Sequence, residues 1–165
     1  MAKESSFDIV SSPDVSELQN ALDQTRREAA TRYDFRGQEV TITWDASRWV
    51  ITLDAPSGMV MDALSTVLAD KMAKRGVALR FFEFGKPELH GMERATRPVT
   101  VKNGIETAKA KEIQKAIRAL GEKVDVQIQG DALRVASKNK DDLQKVIQWL
   151  KSQDFGIELA FTNYR

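Results

Sequence analysis

Residues 124–138, VDVQIQGDALRVASK, alternate apolar and polar side chains on both sides of a Gly130-Asp131 turn. Alternation with a period of two is typical of strands that have one buried and one open face. The segment therefore predicts a β-hairpin with an apolar face. Its opposite face carries Asp125, Gln127, Gln129, Arg134, Ala136 and Lys138. A row of amides and cations on a sheet indicates a binding surface rather than catalytic machinery.

The hairpin belongs to an order of elements that the sequence contains twice. The first copy is predicted as a strand at Ser6–Ser11, a helix at Pro13–Tyr33, a hairpin over 40–53, a helix at Gly58–Arg75 and a strand at Val77–Phe84. After a linker at Gly85–Pro98, the second copy is predicted as a strand at Val99–Lys102, a helix at Glu106–Leu120, the hairpin, a helix at Asp141–Ser152 and a strand at Ile157–Phe161. Apolar residues recur at helical or strand spacing in each element.

Each copy has the order β-α-β-β-α-β, which is that of the ferredoxin-like unit. The sequence therefore predicts an α+β fold of two ferredoxin-like domains, each a four-stranded antiparallel sheet with two helices on one face. The simplest division places residues 1–90 in the first domain and 91–165 in the second.

Composition excludes several kinds of site. The chain has no cysteine, and its one histidine, His90, lies in the predicted linker. Disulfides, thiolate metal sites and cysteine nucleophiles are therefore excluded, and no catalytic residue, metal site or cofactor is predicted. Asn139 before Asp142 indicates a helix N-cap rather than a calcium loop. No stretch has the length and apolarity of a membrane span, so we expect a soluble, cytoplasmic protein. Because no catalytic residue is predicted, we also expect the protein to be non-enzymatic.

Charge is distributed unevenly, although the whole chain has a net charge of only +1. Residues 1–96 contain 12 basic and 15 acidic residues, whereas residues 97–165 contain 13 basic and 9 acidic residues. The second half is thus the part expected to meet phosphate. On its hairpin, Arg134 and Lys138 are candidates for phosphate contacts, and Gln127 and Gln129 for contacts with base edges. Neither hairpin has an aromatic residue on its open face, so base stacking there is not predicted.

Three further groups allow two interpretations each. Lys102 with the backbone of Asn103 and Gly104 either holds an anion at the start of a helix or forms a turn that leads into it. The segment 32–37, RYDFRG, either stacks on a base and clamps a phosphate through Arg32, Phe35 and Arg36, or closes a core with its aromatic residues. The stripe of Lys111, Lys115 and Arg118 either contacts phosphate or is a solvated helix face.

The open face of the first hairpin indicates a different class of function. It carries Thr41, Thr43, Val50 and Thr52, which are uncharged and β-branched. Such a face suits packing against a protein, so a protein–protein adaptor or transcription co-regulator is the alternative to a nucleotide-binding protein.

Several short motifs along the chain resemble those of the YajQ family. They are SFDIVS at 6–11, DFRG at 34–37, KRG at 74–76, QIQGD at 127–131, DDLQ at 141–144 and NYR at 163–165. The resemblance implies a cytosolic bacterial protein of two RNP-like domains that binds nucleotides. It implies RNA or tRNA, purine nucleotides or cyclic di-GMP as ligands, and a transcription regulator as a possible protein partner.

The same resemblance implies that the two domains exchange their first strands. Phe7–Ser11 would then complete the sheet of the second half, and Val99–Lys102 that of the first. The domains would comprise residues 12–104 and residues 1–11 plus 105–165.

Overall fold

The structure is a computed structural model that describes residues 4–35, 37, 39–91 and 94–165. Up to residue 91, the elements are β1 (Ser5–Val10), α1 (Val15–Thr31), a 3-10 turn (Tyr33–Phe35), β2 (Thr41–Asp45), β3 (Val50–Ala55), α2 (Gly58–Lys74), a second 3-10 turn (Leu79–Phe81), β4 (Phe82–Phe84) and β5 (Glu88–His90). From residue 94, they are β6 (Arg94–Val101), α3 (Thr107–Arg118), β7 (Asp125–Gln129), β8 (Ala132–Ser137), α4 (Lys140–Ser152) and β9 (Ala160–Thr162).

Side chains at three helix starts accept backbone hydrogen bonds that the first turn would otherwise leave unpaired. Asp14 accepts from Ser16 and Glu17 before α1, and Ser57 accepts from Val60 before α2. Asn139 accepts from Asp141 before α4, which confirms the predicted N-cap.

One antiparallel sheet has the strand order β7-β8-β1-β9. Strand β1 therefore lies inside this sheet, although β1 ends at Val10 and the other three strands begin only at Asp125. Its side chains Phe7 and Ile9 are fully buried in one core with residues of α3, α4 and the hairpin. The helices thus cover one face of this sheet and leave the other open.

The second sheet has the order β2-β3-β6-β4, with β5 paired to β6. The α+β fold with two antiparallel sheets is confirmed, but this sheet has a fifth strand where the sequence predicted a linker. Two of the residues that indicated a linker, Gly85 and Pro98, instead pack together. The Gly85 N–H donates to the Pro98 carbonyl at 2.8 Å, and a Cβ on Gly85 would lie 2.8 Å from Pro98 Cγ. Here glycine permits a close backbone approach within a sheet.

The predicted strand at Val77–Phe84 is also shorter than expected. Phe81 and Phe82 are both buried, which successive residues of a regular strand cannot achieve on one face. The 3-10 turn over Leu79–Phe81 places the Phe81 ring in the core directly before Phe82, the first residue of β4, so both rings join the same core.

The chain divides into two compact units, one formed by the segment up to Ser12 with Asn103–Arg165 and the other by Pro13–Lys102. The division follows strand pairing: β1 pairs with β8 and β9, and β6 pairs with β3 and β4. The first strand of each half therefore belongs to the sheet of the other half. We propose that these two units, rather than residues 1–90 and 91–165, are the domains.

Candidate functional site

The open face of the sheet β7-β8-β1-β9 carries a row of polar side chains, here called the polar row. Register places Gln127 opposite Arg134, Arg134 opposite Asp8, and Asp8 opposite Thr162. Alternate residues of these strands, such as Leu133 and Val135, are fully buried on the helix side. The alternation predicted for the hairpin is therefore present, and the strand exchange extends it across two more strands.

Asp8 and Arg134 form an ion pair at the centre of the polar row. Arg134 donates from Nε to Oδ1 of Asp8 at 2.9 Å and from Nη2 to Oδ2 at 3.4 Å. The Asp8 side chain is 12% exposed, against 32% for that of Arg134. The hydrogen bond from Arg134 lowers the pKa of Asp8 below its usual value, and the nearby carboxylate raises the pKa of Arg134. Arg134 is therefore a charge-compensated hydrogen-bond donor rather than a free cation.

A β-bulge completes the polar row at its β9 end. Asp8 pairs with Thr162, whereas Ser6 exchanges two backbone hydrogen bonds with Arg165. Two steps along β1 thus match three steps along the last strand, which is the mark of a bulge. Asn163 lies in it with φ of 54°, and its amide donates to Oδ2 of Asp8 at 2.9 Å. The bulge aims this amide at the ion pair.

Asp8 and Asn163 were missed by the sequence prediction of site residues. The signal for Asp8 was a charged residue between Phe7 and Ile9 on an alternating strand, which places its carboxylate on the open face. That signal identifies the face but not the partner, because the partner depends on which sheet the strand joins.

The other predicted hairpin residues lie away from the ion pair or have acidic neighbours. Gln127 is exposed and donates to Asp125 at 3.1 Å, and Gln129 is exposed at the turn. Lys138 lines a cavity of about 550 Å³ after the end of β8. Four carboxylates (Glu4, Glu122, Asp125 and Asp142) and two ammonium groups (Lys123 and Lys138) line this cavity. Their formal balance is −2, which disfavours phosphate.

Two backbone N–H groups before α3 already donate hydrogen bonds to carbonyls of the protein. The Gly104 N–H donates to the Ser11 carbonyl at 2.6 Å, and the Ile105 N–H donates to the Asp131 carbonyl at 2.9 Å. Gly104 has φ of +88°, and a Cβ there would lie 2.6 Å from the Asp131 carboxylate. These contacts favour the structural interpretation of the Asn103-Gly104 turn over anion binding. Lys102 is the last residue of the other unit.

The segment after α1 also belongs to that other unit. Phe35 is 2% exposed, so its ring is part of the core and cannot stack on a base. The Arg32 guanidinium lies 5.3 Å from the centre of that ring and 3.7 Å from a Glu28 carboxylate oxygen. Tyr33 is 83% exposed, so it does not close the core as the alternative interpretation required. Arg36 lies outside the described residues.

The part of the chain that the structure describes contains neither a metal-binding cluster nor a membrane-spanning helix. There, no group of three or more His, Cys, Asp or Glu side chains is placed to hold a metal ion. Nor does any helix within the described ranges combine the length and apolarity needed to cross a membrane.

Comparison with known proteins gives consistent matches over the full chain. A family model described as nucleotide-binding protein YajQ-like matches residues 5–165. A nucleotide-binding protein of Synechococcus elongatus is 47% identical over 165 residues, with both chains covered completely. Nucleotide-binding proteins of Trichodesmium erythraeum and Thermosynechococcus vestitus are 45% and 43% identical over the same full length. This chain therefore belongs to the YajQ-like family.

Proposed function

We propose that this chain is a non-enzymatic nucleotide-binding protein whose ligand lies on the polar row. One observation carries the proposal: Gln127, Arg134 and Asp8 present amide, guanidinium and carboxylate groups in register on an open sheet face. The names of the relatives agree with this class of ligand.

The chemistry of the row favours a guanine base. The N–H groups that Arg134 does not donate to Asp8 can donate to guanine O6 and N7, which is the commonest arginine–base pairing. The Asp8 carboxylate already accepts three hydrogen bonds and keeps one lone-pair site, which can accept from one guanine N–H. Adenine presents its N6 amino donor where guanine has the O6 acceptor, so an Arg134 N–H group would face another donor and could not pair with it. Both cyclic di-GMP and guanine-containing RNA offer this base edge, and the proposal includes either ligand.

Hydrogen bonding rather than net charge would supply most of the affinity. Asp8 compensates Arg134, and the carboxylates around Lys138 offset its charge. A complex that neutralises few phosphates releases few counterions, so its salt dependence is shallow. We therefore place Lys138 as a minor phosphate contact at the edge of the site.

Titration of the full chain with cyclic di-GMP, cyclic di-AMP and a labelled guanine-containing single-stranded RNA tests the proposal. We expect a guanine ligand to bind at least about fivefold more tightly than its adenine counterpart, because one base pairing is worth about 1–3 kcal/mol. Arg134→Lys keeps the charge beside Asp8 but loses the planar fork, so it should remove this preference. Lys151→Ala, an exposed change at the end of α4, is the control.

Equal binding of guanine and adenine ligands would contradict the base assignment. Absence of binding by all three ligands at low salt would contradict the function itself. Circular dichroism of each variant shows that a loss of binding is not a loss of fold.

A second candidate function, a protein–protein adaptor, is favoured by the open face of the other sheet. There Thr43 pairs with Thr52, which pairs with Pro98, and Thr41 and Thr100 are exposed beside them. A protein partner that is lost on Thr43→Asp and retained on Arg134→Lys would favour this candidate.

A further inference from the structure

Strand β7 lies at the edge of its sheet, where β8 is its one neighbour among the strands that the structure describes. The two-residue turn at Gly130-Asp131 makes Gln129 and Ala132 a hydrogen-bonded pair. Such pairs alternate along an antiparallel ladder, so the backbone groups of Val126 and Ile128 point away from β8. Backbone groups at a sheet edge are a template to which another polypeptide can add a strand.

A side chain of α3 occupies one of these outward groups. Nε2 of Gln114 donates to the Val126 carbonyl at 2.7 Å. On β2, the corresponding edge strand of the other unit, the Ile42 carbonyl accepts from Nε and Nη2 of Arg26 at 3.2 and 2.7 Å. Two charge-assisted donors therefore cover the β2 carbonyl, whereas one neutral amide covers that of β7. Because charge-assisted hydrogen bonds are stronger, β7 is the easier edge to open.

Three cations of α3 lie beside the β7 edge. Lys111 and Arg118 are three residues before and four residues after Gln114, so these side chains share one face of the helix, and Lys115 flanks it. The three cations are exposed, and within the described residues none of them forms an ion pair. The helix side of this edge therefore carries positive charge that no nearby carboxylate neutralises.

The open side of the same edge has a different character. Asp125, Gln127 and Gln129 are exposed there, and the Gln127 amide donates to the Asp125 carboxylate. A carboxylate on this side disfavours acidic residues of a partner, whereas the cations favour them on the helix side. Side chains of an added strand alternate between the two sides. The edge therefore fits a segment in which acidic and neutral residues alternate.

We propose that the β7 edge binds an extended acidic segment of another protein, which joins the sheet as an antiparallel strand. Strand addition takes its affinity from backbone hydrogen bonds and its specificity from alternate side chains. Residues opposite Val126 and Ile128 bond to them through the backbone and lie on the same side of the sheet. The acidic residues of the segment thus bond to β7 and also place their carboxylates near Lys111 and Arg118.

The open backbone favours a polypeptide over a nucleic acid as the partner. A nucleic acid offers phosphates to the cations of α3 but has no peptide groups that match the edge. In the complex, an N–H group of the segment replaces the Gln114 amide at the Val126 carbonyl. Gln114 is therefore a competitor of the partner, and its removal should favour binding.

The test uses the full chain with a labelled, end-blocked peptide of alternating threonine and glutamate, followed by fluorescence anisotropy and amide NMR shifts. We expect the shifts in β7 and α3. N-methylation of the glutamates removes the N–H groups that face β7 and should weaken binding at least about tenfold. N-methylation of the threonines, whose N–H groups face away, should change it less than about threefold.

Exchange of charge on α3 tests the role of the cations. The double variant Lys111→Glu with Arg118→Glu should weaken the glutamate peptide at least about tenfold and tighten a threonine–lysine peptide. Lys151→Glu, an exposed change at the end of α4, should do neither. Arg134→Lys, in the polar row, should leave peptide binding unchanged, which separates this site from the proposed function.

Removal of the competing amide gives a change in the opposite direction. Gln114→Ala should tighten the glutamate peptide at least about twofold, because one hydrogen bond no longer has to be broken. Gln148→Ala, an exposed change on α4, is the matched control and should have no effect. Circular dichroism of each variant shows that a change in binding is not a change in fold.

Three outcomes would overturn the proposal. Equal binding of the two N-methylated peptides would show that charge alone holds the peptide. Tighter binding of polyuridylate than of the glutamate peptide, lost in the double charge variant, would assign the cations to nucleic acid. Absence of binding at millimolar peptide would show that the edge does not accept a strand.

Discussion

Asp8 and Arg134 determine the character of the open face at the scale of single residues. Each would be a strong charge alone, but together they form a compensated pair that also accepts a hydrogen bond from Asn163. A pair of this kind presents donors and acceptors with little net field. It is suited to discriminating one base edge from another, and poorly suited to attracting phosphate over a distance.

The ion pair predicts how stability depends on pH. The pKa of Asp8 is lower in the folded chain than in the unfolded chain, so the pair stabilises the fold above the unfolded pKa of about 3.9 and loses that effect as pH falls. We expect Arg134→Gln to lower the urea midpoint at pH 7 and to differ less from the parent below about pH 4. Arg118→Gln, an exposed change on α3, should show no such convergence. A constant difference down to pH 2 would contradict the assigned pair.

At the scale of secondary-structure elements, the bulge in the last strand is the feature that completes the polar row. It keeps both Thr162 and Asn163 on the open face and turns Tyr164 toward Phe7. In a regular strand, successive side chains alternate, so Asn163 would lie on the helix side. Asparagine suits the bulge because it tolerates positive φ better than other non-glycine residues, and its amide reaches Asp8.

Substitutions at Asn163 separate backbone strain from the lost hydrogen bond. Asn163→Gly keeps the backbone conformation and loses only the amide, whereas Asn163→Val loses both. We expect Val to be less stable than Gly by about 1–2 kcal/mol, because a β-branched residue is strained at φ near 54°. Urea unfolding followed by circular dichroism measures the difference. Equal stability of the two variants would show that the bulge does not depend on positive φ.

At the scale of the whole molecule, the exchanged strands make each unit depend on sequence from the other half of the chain. Strand β1 lies between β8 and β9, and β6 lies between β3 and β4. Each is a central strand of its sheet, so neither sheet is continuous without it.

Reciprocal core substitutions test this dependence. Phe7→Ala should destabilise the unit of residues 103–165 by about 3–5 kcal/mol, because Phe7 is fully buried in its core. Hydrogen exchange should accelerate in α3, α4 and the β7-β8 hairpin and change less in α1 and α2.

Val99→Ala is the matched opposite, since Val99 precedes α3 in sequence but is buried with α1 and α2. This substitution should accelerate hydrogen exchange within Pro13–Lys102 more than in α3 and α4. The strand pairing would be contradicted if hydrogen exchange accelerated in the elements next to each substitution in sequence and not in the strands that pair with it.

Local features of the sequence were sufficient to predict most elements. Periodicity predicted the hairpins and helices, and Asn139 predicted the start of α4, because these depend on residues within one or two turns of each other. The same reasoning failed at Gly85–Pro98, where glycine and proline reflect a contact between two segments of a sheet rather than a flexible connection.

The sequence by itself determined which side chains face the core and which face outward, since alternation and helical spacing depend only on chain neighbours. Only the tertiary structure decided which strands meet. Strands β1 and β6 both carry alternating patterns that suit a central position, so no local pattern distinguishes their sheets. The YajQ resemblance implied the exchange, but pairing over 126 residues is what places Arg134 beside Asp8. Because pairing energy depends on contacts distant in sequence, the polar row exists only in the folded chain.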